Sequence, residues 1–488
     1  MHRISLLRKA YKRYRELPDP VKASMWFMAA SIVSKGISMF TTPIFTRLLT
    51  TEQYGIYSIY QSWYSIIAVF ATLNLGGGVY NNGLIRFGAD RARMSSSLLG
   101  LSTTVTLLLL ALYMCAADFW NDVFGMPAPF MVAIFLEALF VPAYTFWSIE
   151  ERFDYRYRNL VLCTLLIAFA GPALGVVGII STDVYKVEAR VFSFVFVQAA
   201  VGLVFYVRNF WRGRMFFSRR YWVFALRFNL PLIPHYLSNM LLGQSDRIMI
   251  ARMIGSGQAA IYSVAYTVST MMQLVTGAIN SSYIPFTYKA IKENRLYRIK
   301  GSATLLLAIV AMGCIAAMAL GPEIIFLFAS TDYYEARWVV PPVSASVFFT
   351  FVYPLFGNIE FYYEKTKMVM SATTTAAAVN LVLNYFAIQM FGYIAAAYTT
   401  LLCYMLLAAA HCINAHMILK KMGMGITDVY SFRPLLILSG VVCGAMALML
   451  LVYDHAAIRY LIAVGIGAFA YRNRRKVLEG IGFIKNKG

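Results

Sequence analysis

The sequence predicts an all-α, polytopic membrane protein with about fourteen transmembrane helices. Hydrophobic residues make up 60% of the 488-residue chain and charged residues only 13%, whereas soluble domains contain roughly 45–50% apolar and 25% charged residues. Apolar stretches as long as a spanning helix recur along the whole chain, and no loop between them exceeds roughly twenty residues. These observations exclude a cytosolic enzyme, a secreted disulfide scaffold and a disordered regulator.

Fourteen stretches have the length and apolar character of a spanning helix. The first is too long for the core of a signal peptide, so it is counted as a span. The six cysteines lie inside apolar runs without metal-ligand or disulfide spacing, and they are predicted to pack as small hydrophobic residues. The predicted spans are 25–49, 56–80, 97–117, 128–149, 159–181, 190–208, 226–252, 259–285, 301–321, 338–360, 368–390, 394–417, 435–453 and 456–471.

The positive charges are concentrated on one side of the predicted spans. With the N-terminus in the cytoplasm, 34 Lys and Arg residues fall on the cytoplasmic side and six on the outer side. This asymmetry predicts an inner-membrane protein with both termini in the cytoplasm. Topology and anionic lipid also account for the net charge of +21, so no nucleic-acid partner is expected. The six outer residues are Arg47, Lys186, Arg190, Arg252, Arg337 and Arg459.

An internal repeat relates residues 47–58, RLLTTEQYGIYS, to residues 252–263, RMIGSGQAAIYS. The offset covers six predicted spans, which indicates two lobes of like orientation; chance similarity between two apolar hairpins is the alternative. Like-oriented lobes around a central cavity suggest alternating access with the substrate near the midplane. The predicted division is an N-terminal six-helix lobe (1–215), a C-terminal six-helix lobe (216–418), and helices 13–14 with a basic cytoplasmic tail (419–488).

Two charged residues lie in the middle of predicted spans, where a charge costs about 2.5–3.5 kcal/mol on insertion scales. Lys35, in the first span, is predicted to face a water-filled cavity and bind an anionic group. The alternative is a lysine that snorkels or pairs with a buried carboxylate. Glu137, in the fourth span, is interpreted as a partner of Lys35, a proton relay or a protonated packing residue.

The seventh span carries His235, Asp246 and Arg247, and Pro231 and Pro234 predict that this span is bent. Neighbouring helix positions point about 100° apart, so Asp246 and Arg247 need not bond each other. His235 is interpreted as a packing residue, with a proton switch as the alternative. Amide side chains near the inner ends of spans 2 and 8 can hydrogen-bond sugar hydroxyls; these are Asn74, Asn81, Gln273 and Asn280.

The sequence contains neither a phosphate-binding G-x-x-x-x-G-K-[ST] loop nor an H-E-x-x-H metal motif, so no ATP-driven motor, cofactor or metal site is predicted. Glu150–Glu151 and the pair Glu360 and Glu364 are interpreted as solvated partners of nearby basic residues rather than as catalytic pairs.

Three stretches carry a resemblance to a known family: FTRLLTTEQYGIYSIYQSW, LPLIPHYLSNMLLGQSDRIMIARMIG and AIYSVAY. With the fourteen-span outline, they resemble bacterial polysaccharide biosynthesis proteins. These are the Wzx-type oligosaccharide flippases of the multidrug/oligosaccharidyl-lipid/polysaccharide (MOP) exporter superfamily, which also includes the MATE transporters. The resemblance implies two six-helix lobes around a cationic cavity lined by spans 1, 2, 7 and 8. It extends over nearly the whole chain, but its motifs mark the superfamily more than a substrate.

The resemblance also implies a function. The substrate is a short oligosaccharide on undecaprenyl pyrophosphate, moved between leaflets for a surface polysaccharide such as O-antigen. The partners are the lipid bilayer and the polysaccharide polymerase with its chain-length machinery. Cavity cations are expected at Lys35 and Arg247, with Arg47 and Arg252 as further candidates. Ion or proton coupling is assigned to Glu137, Asp246 and His235.

Three other functions remain open at this level. Two belong to the same superfamily, an ion-coupled multidrug exporter and a peptidoglycan-precursor flippase. The third is an enzyme, a membrane glycosyl polymerase or ligase, and the short loops argue against it.

Overall fold

The computed structural model of the chain describes residues 18–474, and over that range it contains helices and turns but no β-strand. The all-α fold class is therefore confirmed. The α-helices of this range, numbered in chain order, are α1 Asp19–Leu48, α2 Thr51–Ala71, α3 Val79–Arg86, α4 Arg91–Cys115, α5 Ala117–Phe124, α6 Ala128–Phe153, α7 Tyr157–Ile180, α8 Lys186–Gly213, α9 Arg219–Asn229, α10 Ile233–Met253, α11 Ser256–Lys292, α12 Leu296–Ala319, α13 Gly321–Phe328, α14 Val340–Tyr362, α15 Thr366–Phe391, α16 Ala395–Lys421, α17 Ile426–Val429, α18 Phe432–Val452 and α19 Ala456–Arg472.

Within residues 18–474, nine helices are long and apolar enough to cross a membrane. They are α4, α6, α7, α8, α12, α14, α15, α16 and α18. Each coincides with one of the predicted spans. The chain therefore has the helices of a multi-pass membrane protein, while the total of fourteen spans stays a prediction.

The other five predicted spans correspond to α1, α2, α10, α11 and α19. Helix α19 has only 17 residues, which is shorter than the usual spanning length of ~20 residues. The other four are less apolar because they carry most of the polar side chains singled out in the sequence. These four are the spans that the family resemblance assigns to the cavity lining.

The second predicted span is interrupted, which corrects the prediction of one helix over 56–80. Helix α2 ends at Ala71, a short 3₁₀ turn covers Leu75–Gly77, and α3 begins at Val79. Gly78 has a φ of 150°, a conformation that glycine adopts at little cost. The repeat-related helix α11 instead runs without a break for 37 residues.

The seventh predicted span is also divided, as its two prolines predicted. Helix α9 ends at Asn229, a 3₁₀ turn covers Leu230–Leu232, and α10 begins at Ile233. Pro231 lacks a backbone N–H and cannot continue the hydrogen-bond ladder of α9.

The described residues form two compact units. The first contains the described residues up to Leu48 together with Trp63–Ile233, and its core includes Tyr80 stacked on Phe146 at a ring-centroid distance of 4.3 Å. The second contains Leu49–Ser62 and the described residues from Pro234 onward, and α14 is its most buried helix. Lipid competes for apolar side chains, so close packing and interhelical hydrogen bonds hold each unit together. The basic tails and the orientation of the termini lie outside the described residues.

Candidate functional site

Arg247 is buried in the second unit, on α10, with 8% of its surface exposed. Its Nη1 donates hydrogen bonds to the carbonyl oxygen of Gly243 at 2.6 Å and to Oε1 of Gln244 at 2.8 Å. The guanidinium carbon lies 4.4 Å from the centroid of the Tyr266 ring. None of the ion pairs among residues 18–474 involves Arg247, so it keeps a positive charge that no carboxylate contacts.

Asp246 precedes Arg247 in the sequence but faces different partners. Its carboxylate, 1% exposed, accepts hydrogen bonds from the Tyr262 hydroxyl at 2.6 Å, from Nδ2 of Asn384 at 2.7 Å and from Oγ1 of Thr400 at 2.8 Å. The two neighbours therefore do not bond each other. A buried carboxylate without hydrogen bonds would be very costly, and these three donors reduce that cost.

A second layer of side chains orients the donors to Asp246. Nδ2 of Asn380 donates to Oγ1 of Thr400 at 3.3 Å, and Nδ2 of Asn384 also donates to Oδ1 of Asn380 at 3.2 Å. Oγ1 of Thr399 donates to Oδ1 of Asn384. We term Asp246, Tyr262, Asn380, Asn384, Thr399 and Thr400 the Asp246 network. Of these six residues only Asp246 was predicted from the sequence, although two amides four residues apart on one face of an apolar helix, Asn380 and Asn384, were a visible signal.

His235 and Gln273 also lie in the second unit, in different surroundings. Nδ1 of His235 lies 2.9 Å from Oγ1 of Thr373, and Nε2 lies 3.2 Å from Nδ2 of Asn239, so both ring nitrogens have partners. Gln273 interacts electrostatically with the Tyr266 hydroxyl. Through Tyr266 the structure therefore brings Gln273 and Arg247 together. Asn280 is half-buried, and its Oδ1 has no partner among the described residues.

The predicted residues of the first unit are separated from one another. Lys35 is exposed on α1 and takes part in none of the ion pairs among residues 18–474. Of the three interpretations of Glu137, the structure therefore does not contain the ion pair with Lys35. Glu137 is fully buried on α6 and interacts electrostatically with Tyr64. Asn74 lies in the turn after α2 with a φ of 45°, and Asn81 is exposed on α3.

The repeat-related arginines, Arg47 and Arg252, are exposed near the ends of α1 and α10. The following segments, α2 and α11, meet within the second unit. The Oγ atoms of Ser58 and Ser263, which the repeat aligns with each other, are 2.5 Å apart. A Cβ on Gly55 would lie 2.0 Å from the carbonyl oxygen of Ser256, so only glycine permits this close approach of the two helices.

Glu360 and Glu150, which the sequence suggested to be solvated partners of nearby basic residues, instead contact buried or partly buried side chains. That interpretation is corrected. Glu360 is fully buried, with its Oε1 2.5 Å from Nδ1 of His411 and its Oε2 accepting a hydrogen bond from Asn414 at 3.3 Å. Glu150 is half-buried and accepts a hydrogen bond from the Tyr80 hydroxyl at 2.6 Å. The position of Glu360 at the edge of a predicted loop gave no sign that a histidine 51 residues away would contact it.

Comparison with known proteins identifies relatives along most of the chain. A family model described as "polysaccharide biosynthesis protein" matches residues 21–290. The Haemophilus influenzae protein named "Lsg locus putative protein 1" is 20% identical over 378 residues, covering 73% of this chain and 88% of the relative. A second H. influenzae protein, named "uncharacterized membrane protein", is 20% identical over 374 residues, and the match covers 74% of this chain and 88% of the relative.

Solved structures share the fold at low sequence identity. The lipid II flippase MurJ in an inward closed conformation has a TM-score of 0.67 and 13% identity, and the match covers 93% of this chain and all of that one. An inward-facing MATE family multidrug transporter has a TM-score of 0.59 and 15% identity, and the match covers 80% of this chain and 95% of that one. A MOP superfamily transporter from Pyrococcus furiosus has a TM-score of 0.55 and 14% identity, with 82% and 96% covered.

Proposed function

The chain belongs to the polysaccharide biosynthesis protein family, and on this premise we propose that it is a flippase for a lipid-linked oligosaccharide. Its substrate is a repeat unit on undecaprenyl pyrophosphate, moved by alternating access from the cytoplasmic to the outer leaflet of the inner membrane for a surface polysaccharide. The reaction relocates the molecule and changes no covalent bond. The polymerase and the chain-length machinery then receive the repeat unit.

One observation carries this proposal: Arg247 and Asp246 are adjacent in the sequence and bonded to different partners. Because none of the ion pairs among residues 18–474 involves Arg247, it is suited to contact an anionic diphosphate, to which arginine can donate paired hydrogen bonds. Lys35, exposed on α1 of the first unit, is a separate cationic candidate in the proposal. Amides such as Gln273 replace part of the hydration of the sugar.

The same observation disfavours an exporter of cationic drugs. Such a substrate requires an accessible carboxylate, whereas Asp246 is buried and accepts three hydrogen bonds from the protein. A peptidoglycan precursor presents a similar diphosphate lipid, which the same residues would suit. The two candidates differ in which polymer is lost when the gene is deleted.

The first experiment is deletion of the gene and complementation with variants. We expect loss of one surface polysaccharide and accumulation of its lipid-linked repeat unit in the inner leaflet, with peptidoglycan synthesis unaffected. Lys35→Ala and Arg247→Gln should each lower transport roughly tenfold or more, because a charge-assisted hydrogen bond contributes about 1.5–3 kcal/mol. Lys186→Ala, which removes a charge from a predicted outer loop, is the matched control. Full restoration of the polymer by both variants would contradict the assignment of the cations.

The driving force is a separate part of the proposal. The free energy of a diphosphate with two negative charges falls by roughly 4.6 kcal/mol when it moves outward across an inside-negative potential of about 100 mV. Exchange of a proton or sodium ion is the alternative. Asp246 is its best-supported site because hydroxyl and amide groups surround this carboxylate; Glu137 and His235 are the other candidates.

Transport into liposomes separates the two driving forces. If the potential suffices, transport follows an imposed potential without any ion gradient. If Asp246 couples an ion, a proton or sodium gradient drives transport at zero potential, and Asp246→Asn abolishes that dependence. Asp118→Asn, at an exposed position, is the matched control. Retention of gradient-driven transport by Asp246→Asn would exclude Asp246 as the coupling residue.

A further inference from the structure

A second cationic site lies in the first unit, apart from all residues discussed so far as substrate contacts. A cavity of about 230 Å³ opens among the ends of α4, α6 and α8. Its lining includes Arg91, Arg156, Arg208 and Arg212, and we term it the arginine pocket. The charge asymmetry of the sequence assigns these helix ends to the cytoplasmic side.

The carboxylates near the arginine pocket are largely engaged with two of its four arginines. Asp154 accepts a hydrogen bond from Arg91 at 2.9 Å and another from Arg156 at 2.7 Å, and Glu151 lies 3.4 Å from Arg156. Neither Arg208 nor Arg212 takes part in an ion pair anywhere in residues 18–474. These two residues are four apart on α8, so their side chains share one face of the helix.

Four guanidinium groups and two carboxylates, those of Glu150 and Asp154, line the pocket. Glu151 is buried beside it, 3.4 Å from Arg156. The lining therefore has an excess of positive charge, which suits the negative charge of a phosphodiester. The volume is smaller than the roughly 300 Å³ at which pockets for drug-sized molecules begin. The pocket is therefore the size of a headgroup rather than of an oligosaccharide or a drug.

Aromatic side chains complete the wall of the pocket. Trp147 and Phe205 stack at a centroid distance of 4.2 Å, and the guanidinium carbon of Arg208 lies 5.9 Å from each ring. Trp147 is buried, and its Nε1–H is itself shielded and has no acceptor among the described residues. The cationic contacts of the pocket are therefore left to the exposed Arg208 and Arg212.

We propose that the arginine pocket binds the phosphodiester headgroup of an anionic membrane lipid. Arg208 and Arg212 contact the phosphate, and the acyl chains stay in the predicted cytoplasmic leaflet. Basic pockets between transmembrane helices at that side are suited to anionic headgroups. A lipid bound here links the ends of α4, α6 and α8 and so stabilises the first unit. This inference does not depend on the identity of the transported substrate.

The test measures lipid binding to the purified full chain in detergent. Native mass spectrometry counts retained phosphatidylglycerol and phosphatidylcholine, and thermal unfolding is followed with each lipid. We expect preferential retention of phosphatidylglycerol and a higher Tm with that lipid. The double variant Arg208→Gln/Arg212→Gln should bind phosphatidylglycerol roughly 30-fold more weakly. Both side chains are exposed, so the variant should fold, and an unchanged elution profile on size exclusion checks this.

The control is Arg93→Gln/Arg219→Gln, which removes two exposed charges from the same predicted side but outside the pocket lining. It should bind phosphatidylglycerol as the wild type does. An equal loss of phosphatidylglycerol binding in this control would mean that the lipid is attracted to the surface charge in general, and would overturn the proposal. Equal binding by Arg208→Gln/Arg212→Gln and the wild type would overturn it as well. Inorganic phosphate is tested alone: if it raises Tm and displaces the lipid, the pocket is a site for a soluble anion instead.

Discussion

Arg459 is buried at the start of α19 and contacts Glu323 of α13 through two hydrogen bonds, of 2.6 and 2.8 Å. A third hydrogen bond, of 3.0 Å, goes to the carbonyl oxygen of Ala319. The charge pattern of the sequence assigns both side chains to the outer side. Their pairing across 136 residues could not be predicted, because no local pattern encodes which distant helix ends meet.

We expect Arg459→Ala to lower the free energy of unfolding by about 1.5–3 kcal/mol at neutral pH, because the Glu323 carboxylate and the Ala319 carbonyl lose their donor. Thermal unfolding in detergent measures the effect. Asp454→Ala is the control, since the Asp454 side chain in its ion pair with Arg337 is 69% exposed and such pairs contribute at most about 1 kcal/mol. Equal effects of the two substitutions would contradict this reasoning.

The contribution of this pair also depends on pH. Burial acts to raise the pKa of Glu323, but hydrogen bonds from Arg459, its own backbone and Tyr460 outweigh it and hold the pKa below its ordinary value. The stabilisation is therefore complete above the unfolded pKa of about 4.3 and is lost as the pH falls through the folded pKa. We expect the difference in Tm between the wild type and Glu323→Gln to shrink over that acidic range. A constant difference would contradict the assignment.

At the scale of single residues, the sequence indicates which side chains are costly in a membrane span. Arg247 and Asp246 were identified because charges inside a membrane helix require a reason, and both are buried in the second unit. Glu360 was misinterpreted because it lies at the end of a predicted span, in the segment that leads to Glu364 and Lys365, whereas the buried His411 contacts it in the fold. The sequence around a residue therefore indicated how costly its charge is in a membrane helix, but not which distant residue contacts it.

At the scale of helices, the contact between α2 and α11 depends on Gly55. Gly55→Leu should lower Tm in detergent, since overpacking of this kind typically costs about 1–3 kcal/mol. Gly301→Leu is the matched control, because a Cβ on Gly301 meets no atom within 4 Å. If both variants unfold at the same temperature as the wild type, the two helices do not approach as closely as the structure has them.

Helix positions were largely predictable because apolar length is a strong signal, while interruptions within helices were predictable only in part. The break after α9 followed from Pro231, whose chemistry forbids a continuous ladder. The break after α2 was not predicted, although Gly76, Gly77 and Gly78 marked it. Glycines inside membrane helices are common, so their number alone does not distinguish a turn from a packing contact.

For the whole molecule, the charge asymmetry makes a prediction about topology. Single cysteines would be introduced at Ser181, Asp332, Asn294 and Glu364, all exposed positions, with the six native cysteines replaced by serine. Ser181→Cys and Asp332→Cys should react with a membrane-impermeant maleimide in intact cells. Asn294→Cys and Glu364→Cys should react only after permeabilisation. Labelling of all four in intact cells, or a reversed pattern, would contradict the predicted orientation.

The class of the molecule followed from composition alone, because so apolar a chain is stable only where lipid surrounds it. The internal repeat was visible in the residues of one turn, and the fold similarity to MurJ and MATE structures agrees with the expected architecture. The Asp246 network was not predictable in the same way, since its members come from α10, α11, α15 and α16 and meet only after those helices pack.

The contact between Ser58 and Ser263 has a consequence for the chemistry that this position tolerates. Where a repeat places a residue against its own copy, the side chain must be self-complementary, as on the axis of a symmetric dimer. Two carboxylates or two ammonium groups would repel each other, and two amides need more room. A hydroxyl both donates and accepts a hydrogen bond, so a single small residue type serves both halves of the pair.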